Sequence, residues 1–257
     1  MSEPLQFTCP DGETIAYYAR SVHGASAKKM GVVWLGGLKS DMTGTKAVAL
    51  DDWAARNDRA FVRFDYFGHG QSSGDFVDGT ISRWAQDAQT VLDQVATGPQ
   101  ILVGSSMGGW AAILTALARP DQVKGLVFVA PAPDFTEDLM WENFSPETKA
   151  LIDRGEVYEQ PSMYDDNPYL ISPQLIQDGR RNLVLRNDIQ IHCPVRILHG
   201  MSDADVPWDR SLTLIDALQS DDVTATFVKG ADHRMSDDPN IARLLDLVAD
   251  LCAQLDE

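Results

Sequence analysis

Basic residues are scarce in this chain: 21 Lys and Arg stand against 38 Asp and Glu, for a formal net charge of −17 at pH 7. The negative charge is spread along the sequence rather than gathered in an acidic tail. Nucleic acid and anionic membrane surfaces are repelled, and no basic cluster offsets the repulsion. Cysteine is nearly missing too. Cys9, Cys193 and Cys252 cannot all pair, none has metal-ligand spacing, and they read as reduced thiols of a cytoplasmic protein. No apolar run reaches the length of a membrane span. Residues Met1 to Gln6 carry neither the apolar core of a signal peptide nor the arginines of a transit peptide. Internal repeats and low-complexity tracts are missing as well. These absences predict a cytoplasmic protein without nucleic-acid partners or membrane insertion, and leave monomer and dimer both open.

What the chain does have is enough apolar material for one sizeable core, 44% of 257 residues. Leu5–Cys9 and Thr14–Arg20 flank the turn signal Pro10-Asp11-Gly12-Glu13 and predict a hairpin. Buried strands are predicted at Gly31–Leu35, Ala60–Phe64, Ile101–Val103, Gly125–Ala130, Val195–Leu198 and Val223–Val228. Helices are predicted between them: Gly44–Arg56, a stripe of Ile81, Trp84, Ala85, Ala88, Val91, Leu92 and Val95, then Trp110–Ala118 and Trp208–Leu218. A last helix starts at Asp238-Pro239, with Asp238 as its cap. This alternation predicts an α/β fold of one domain over residues 1–257, with a mostly parallel sheet covered on both faces. Residues 131–192 break the pattern, with no clear strand, several prolines, and aromatics at Phe135, Trp141, Phe144, Tyr158, Tyr164 and Tyr169. So much aromatic content argues against disorder, and a helical cap is expected there.

The chemistry points to Gly104-Ser105-Ser106-Met107-Gly108. An apolar strand runs directly into Gly-x-Ser-x-Gly and a helix follows at once. Such a turn lifts the Ser106 hydroxyl off the sheet edge in strained backbone geometry that only small neighbours tolerate. Ser105 is out of frame, because Val103 stands where the first glycine would be needed.

A serine hydroxyl needs a base in hydrogen-bond reach and a third group to orient that base. In the chain order nucleophile, acid, base, the base belongs after the last strand, where His233 stands in Gly230-Ala231-Asp232-His233. His23 and His192 fall in connecting loops, His69 in an early Gly-rich turn, and His199 at a strand end, where a structural role is expected. The acid belongs after the penultimate strand. Asp203 is nearer the strand end there and is preferred to Asp205, with Asp134 as a third candidate and Asp232 at the surface. Preorganised N–H donors for a developing oxyanion are worth roughly 3 kcal/mol each. The backbone amides of Met107 and of Leu38, after Gly36-Gly37, are the candidates.

These motifs, with Asp65-Tyr66-Phe67-Gly68-His69-Gly70-Gln71-Ser72 and His199-Gly200-Met201-Ser202-Asp203, resemble the α/β-hydrolase superfamily from about Gly31 to Leu251. Longer stretches narrow the resemblance: Ser40–Ala49, Phe61–Tyr66, Val103–Trp110, Cys193–Met201, Val206-Pro207-Trp208 and Asp232–Met235. They are similar to the mitochondrial acyl-protein thioesterases of animals, also described as acyl-glucuronide esterases. The resemblance implies an α/β-hydrolase fold, no cofactor and no metal. It also implies hydrolysis of an acyl ester or thioester, on a small or protein-linked substrate, through Ser106, Asp203 and His233. A C–C bond hydrolase or a cofactor-free peroxidase-like enzyme would share the triad, whereas dehalogenases and epoxide hydrolases need Asp in place of Ser106. Outside catalysis, the same fold serves as ligand receptor or scaffold. The apolar character of the insertion predicts an acyl pocket roofed by rings such as Trp141 and Tyr164.

Overall fold

The computed structural model describes residues 3–161 and 168–256. Its centre is an eight-stranded sheet: β1 (Leu5–Thr8), β2 (Thr14–Arg20), β3 (Gly31–Leu35), β4 (Phe61–Phe64), β5 (Gln100–Ser105), β6 (Val123–Val129), β9 (Val195–Gly200) and β10 (Val223–Val228). In space the order is β1-β2-β4-β3-β5-β6-β9-β10. Within this sheet the β1/β2 and β2/β4 pairs are antiparallel. The other pairs in this sheet are parallel, and the helices between consecutive strands supply the crossovers that parallel pairing needs.

The central strands are rich in consecutive apolar residues, such as 32–35, 101–103 and 126–129, because both faces are covered. Val33, Leu35 and Leu102 point into one core layer, with Trp84, Val91 and Leu92 of α2 (Ile81–Gln94) and Trp110 and Ile113 of α3 (Met107–Ala118). Val32, Trp34, Ile101 and Val103 point the other way, onto Leu50 and Trp53 of α1 (Thr45–Arg56) and Leu244, Val248 and Leu251 of α7 (Asp238–Leu255). Period-two alternation along each strand thus feeds two cores from one sheet. The cap of α7 is Asp237, not Asp238: its carboxylate accepts from Asn240 N at 2.8 Å, which puts Asp238 and Pro239 inside the first turn.

Between β6 and β9 the chain leaves the sheet. It forms a π-helical turn at Thr136–Trp141, α4 (Pro146–Asp153), a strand pair β7 (Tyr158–Gln160) and β8 (Tyr169–Ile171), and α5 (Pro173–Arg181). The expectation of no strand there is corrected. β7 and β8 pair antiparallel, Tyr158 opposite Ile171, in segments too short to show a period in sequence. Ser145 and Ser172 cap α4 and α5, each with proline in the first turn. Phe144 packs edge-on to both Trp141 and Tyr158, at centroid distances of 6.5 and 5.3 Å. α6 (Arg210–Ala217) joins β9 to β10.

Candidate active site

β5 hands the chain to α3 through a single residue. Ser106 has φ 54° and ψ −120°, a conformation a non-glycine residue holds only when its surroundings enforce it. The enforcement comes from both sides. Ser106 N–H donates to the Val129 carbonyl at 2.9 Å, and the Ser106 carbonyl accepts from Gly109 N–H at 2.9 Å and Ala132 N–H at 3.1 Å. The first turn of α3 also lies directly on the end of β3, where a Cβ on Gly108 would meet the Leu35 carbonyl oxygen at 2.1 Å. Ser105 closes β5 as a buried residue, while Ser106 is half-buried and lines a pocket.

His233 arrives from the loop after β10. That loop presses on the end of β9, where a Cβ on Gly200 would stand 2.4 Å from the Ala231 carbonyl. Asp232 is exposed and accepts from Met235 N–H at 3.1 Å, so it shapes the turn. His233 Nε2 lies 3.1 Å from Ser106 Oγ, and its Nδ1 lies 2.7 Å from Asp203 Oδ2. The structure therefore brings Ser106, His233 and Asp203 into one hydrogen-bonded line. Burial alone would raise the Asp203 carboxyl. Hydrogen bonds from His199 and His233, the His233 charge and the Val206 N–H instead hold it well below the usual carboxylate range.

The other candidate acids lie elsewhere. Asp205 is exposed at the pocket rim, and its own N–H donates to Asp203 Oδ1 at 2.9 Å. Asp134 is fully buried at the start of the insertion and accepts from Val184 N–H at 2.8 Å and Leu185 N–H at 2.9 Å. It ties the two ends of the insertion together. Ligand atoms of Asp203, Asp205 and His233 lie within 4.8 Å of one another, a spacing that suits a cation. Both Asp203 oxygens are already committed, Oδ1 to the N–H groups of Asp205 and Val206 and Oδ2 to two imidazoles, and that pattern suits an orienting acid better.

Leu38 and Met107 line the same pocket as Ser106. The loop carrying Leu38 is held by a residue that sequence reasoning set aside. His69 is buried, its Nδ1 donates to the Phe67 carbonyl at 3.1 Å, and its Nε2 accepts the Lys39 N–H at 3.0 Å. Burial pushes the His69 imidazole down to about 4, so it stays neutral and able to accept. Lys39, at φ 58°, turns the chain just beyond Leu38. Asp65 braces the same region, accepting from Met42 N–H at 2.6 Å and Gln71 N–H at 2.8 Å. The Gly-rich stretch from Asp65 thus serves the site from behind.

The pocket holds about 660 Å³. One wall is apolar and comes mostly from the insertion: Ala132, Phe135, Leu139, Met140 and Tyr169. Polar lining comes from Ser40, Thr45, Lys46 and Arg234, among others. Burial, with Arg234 nearby, pulls the Lys46 amine down to about 8. Trp141, expected to roof the pocket, packs instead against Phe144 and under the Arg180 guanidinium, 4.3 Å from its ring. Tyr164 lies outside the described residues.

A mostly parallel sheet, a strained serine at a strand-to-helix turn, and an aspartate and a histidine in the loops after β9 and β10 define an α/β-hydrolase architecture. Residues 27–160 match the serine aminopeptidase S33 hydrolase family. The human mitochondrial palmitoyl-protein thioesterase ABHD10 is 36% identical over 247 residues, 96% of this chain and 79% of that protein. A crystal structure from Agrobacterium vitis S4 superposes with a TM-score of 0.93 at 40% identity, covering 97% of this chain and 98% of that one. Mouse alpha/beta hydrolase domain-containing protein 10 superposes with a TM-score of 0.89 at 34% identity, covering 99% and 100% of the two chains. The chain belongs to this α/β-hydrolase family.

Proposed function

We propose that the protein is a serine hydrolase that cleaves acyl esters and thioesters through an acyl-Ser106 intermediate. The observation that carries this reading is the line Ser106 Oγ, His233 Nε2, His233 Nδ1, Asp203 Oδ2, at 3.1 and 2.7 Å, opening onto a pocket with one apolar wall. His233 takes the hydroxyl proton as Ser106 Oγ attacks the acyl carbonyl. Leu38 and Met107 N–H groups hold the oxyanion. His233 then gives the proton to the leaving thiol or alcohol, and water clears the acyl-enzyme by the same steps in reverse. Asp203, ionised throughout the neutral range, holds the Nδ1–H tautomer of His233 and stabilises the imidazolium.

The insertion 131–192 acts as the cap that selects the acyl group. Support comes from the five apolar residues it places on or beside the pocket wall, and from the name of the human relative, a palmitoyl-protein thioesterase. A long acyl chain on sulfur, carried by a small molecule or a protein, is the substrate class these features favour. A cytoplasmic location belongs to the same proposal. Its support is three unpaired thiols, two of them buried, which suit a reducing compartment. The test is a rate panel over matched p-nitrophenyl esters and acyl thioesters of rising chain length, run beside Ser106→Ala. Equal rates for wild type and variant would refute it.

A further inference from the structure

Two histidines, not one, share the acid of the site. His199 is fully buried at the end of β9, and its Nε2 stands 3.1 Å from Asp203 Oδ2, the same oxygen that His233 Nδ1 reaches at 2.7 Å. Its Nε2 also lies 3.1 Å from the Val206 carbonyl, and its Nδ1 lies 2.7 Å from Ser211 Oγ. Both neighbours of Nε2 are acceptors, so the ring hydrogen sits on Nε2 and is shared between them. The buried Ser211 hydroxyl then donates to the bare Nδ1. With Asp205 and Val206 N–H groups on Oδ1, the carboxylate receives four donors, and the Asp203 side chain has no exposure to water.

We propose that His199 is a positioning residue of the hydrolase reaction: its Nε2–H fixes the Asp203 carboxylate and competes with His233 for the charge on Oδ2. The inference rests on the acyl-serine reading above. An aspartate that gave all its Oδ2 charge to His233 would hold the imidazolium longer as pH rises, and more of the enzyme would be unable to accept the Ser106 proton. His199 draws off part of that charge, and Ser211 keeps His199 in the tautomer that does so. The spacing follows from local structure: His199 is the penultimate residue of β9, Gly200 ends the strand and lets the chain approach the His233 loop, and the following turn returns Asp203 to the ring. Other charged groups around the pair are Asp205 on the same loop, Asp232 and Arg234 flanking His233, and Lys46 of α1, which donates to the Arg234 carbonyl. All four are unchanged in the variants below, so a shift between variants belongs to residue 199.

The experiment compares wild type, His199→Phe and His199→Gln for kcat and KM across the acid limb, with a p-nitrophenyl ester the wild type turns over. Loss of the donor in His199→Phe moves the limb up by about one pH unit, from the usual worth of one hydrogen bond to a charged group. It also lowers plateau kcat on the order of ten-fold while KM holds. His199→Gln, whose side-chain amide reaches the same place, restores the limb. A His199→Phe enzyme that melts lower but keeps the wild-type limb and kcat would reduce His199 to core packing. Ser106→Ala, run alongside, separates the two failures: an active Ser106→Ala sinks the acyl-serine reading, whereas an unmoved limb over a dead Ser106→Ala sinks only the role of His199. If His199→Phe does not fold, 15N spectra of histidine-labelled wild type decide. Hydrogen on Nε2 with a bare Nδ1 at His199 supports the proposal, and hydrogen on Nδ1 alone overturns it.

Discussion

A Cβ on Gly108 would stand 2.1 Å from the carbonyl oxygen of Leu35 and 2.5 Å from that of Gly36. The helix that follows the nucleophile therefore rests on the backbone that leads to Leu38, and the two sides of the oxyanion site are built against each other. Gly108→Ala must push them apart. We expect a stability loss of about 1–3 kcal/mol from overpacking, together with a kcat deficit that low temperature does not repair. Gly36→Ala, whose methyl meets nothing closer than 3.8 Å, is the control in the same urea titrations. Equal stability for the two variants would contradict the close approach.

Ser106→Ala removes the attacking oxygen and nothing else, so turnover should vanish while the circular dichroism stays native. A fluorophosphonate should label wild type once per chain and leave the variant unlabelled. Ser105 closes β5 as a buried residue, with no histidine among the described residues on its hydroxyl, so labelling that moved there would overturn the assignment. Alanine inherits the backbone strain at φ 54°, whereas glycine relaxes it. Ser106→Gly should therefore melt above Ser106→Ala; the opposite order would mean that the turn is not strained.

The three acids separate by what they touch. Asp203→Asn should cost roughly 10⁴ in kcat, because an amide no longer enforces the His233 tautomer. Asp205→Asn should cost little, since its backbone rather than its carboxylate engages Asp203. Asp134→Asn should act on stability, because it alters the acceptor that holds Val184 and Leu185. A large kcat effect at Asp134 without a change in melting temperature would reverse that assignment.

The acid limb of kcat/KM should be a one-proton step that belongs to His233, because only its neutral ring accepts the Ser106 proton. Asp203 does not contribute to it, being held below the ordinary carboxylate range. Its effect is on stability. A depressed folded-state pKa gives stabilisation that is present above the unfolded value of roughly 3.9 and lost as pH falls through the folded value. Asp203→Asn should therefore flatten acid unfolding below about pH 4 and leave the neutral melting temperature lower than wild type. A melting curve that loses stability between pH 5 and 7 because of this residue would contradict the sign.

Much of this was legible in the sequence because the signals were local. Gly104 to Gly108 is contiguous, β3, β5 and β6 each carry an apolar run (residues 32–35, 101–103 and 126–129), and His233 follows the last strand. What escaped was long-range or short. Nothing near His69 reveals that it accepts the Lys39 amide 30 residues away. β7 and β8 have three residues each, below the length at which alternation shows. His199 is expected from sequence to have a satisfied structural role, and its buried, fully hydrogen-bonded ring fits that; what its four-residue spacing to Asp203 does not reveal is that Nε2 reaches the oxygen His233 also uses. Trp141 departs from its expected place, since aromatic content says that a segment buries something without saying what.

The pocket's apolar wall sets the last expectation. Leu139 and Met140 line it from the π-helical turn, while Trp141 beside them faces Phe144 and Arg180. If the acyl chain runs along this wall, each added CH₂ should gain about 0.8 kcal/mol, close to four-fold in kcat/KM, until the space is filled. Met140→Trp should then move the optimum to shorter chains while acetyl-ester turnover holds, because an acetyl group needs none of the volume that the larger ring takes from the chain. Phe135 is a poorer probe: it packs edge-on to Trp110 at 5.7 Å, so its loss weakens the core as well. Trp141→Ala should lower the melting temperature and leave the chain-length profile in place. The measurement is kcat/KM from acetyl to hexadecanoyl on one leaving group. A flat profile, or a Met140→Trp profile superimposable on wild type, would place the acyl group elsewhere and leave the polar lining of Lys46 and Arg234 as the surface that selects the substrate.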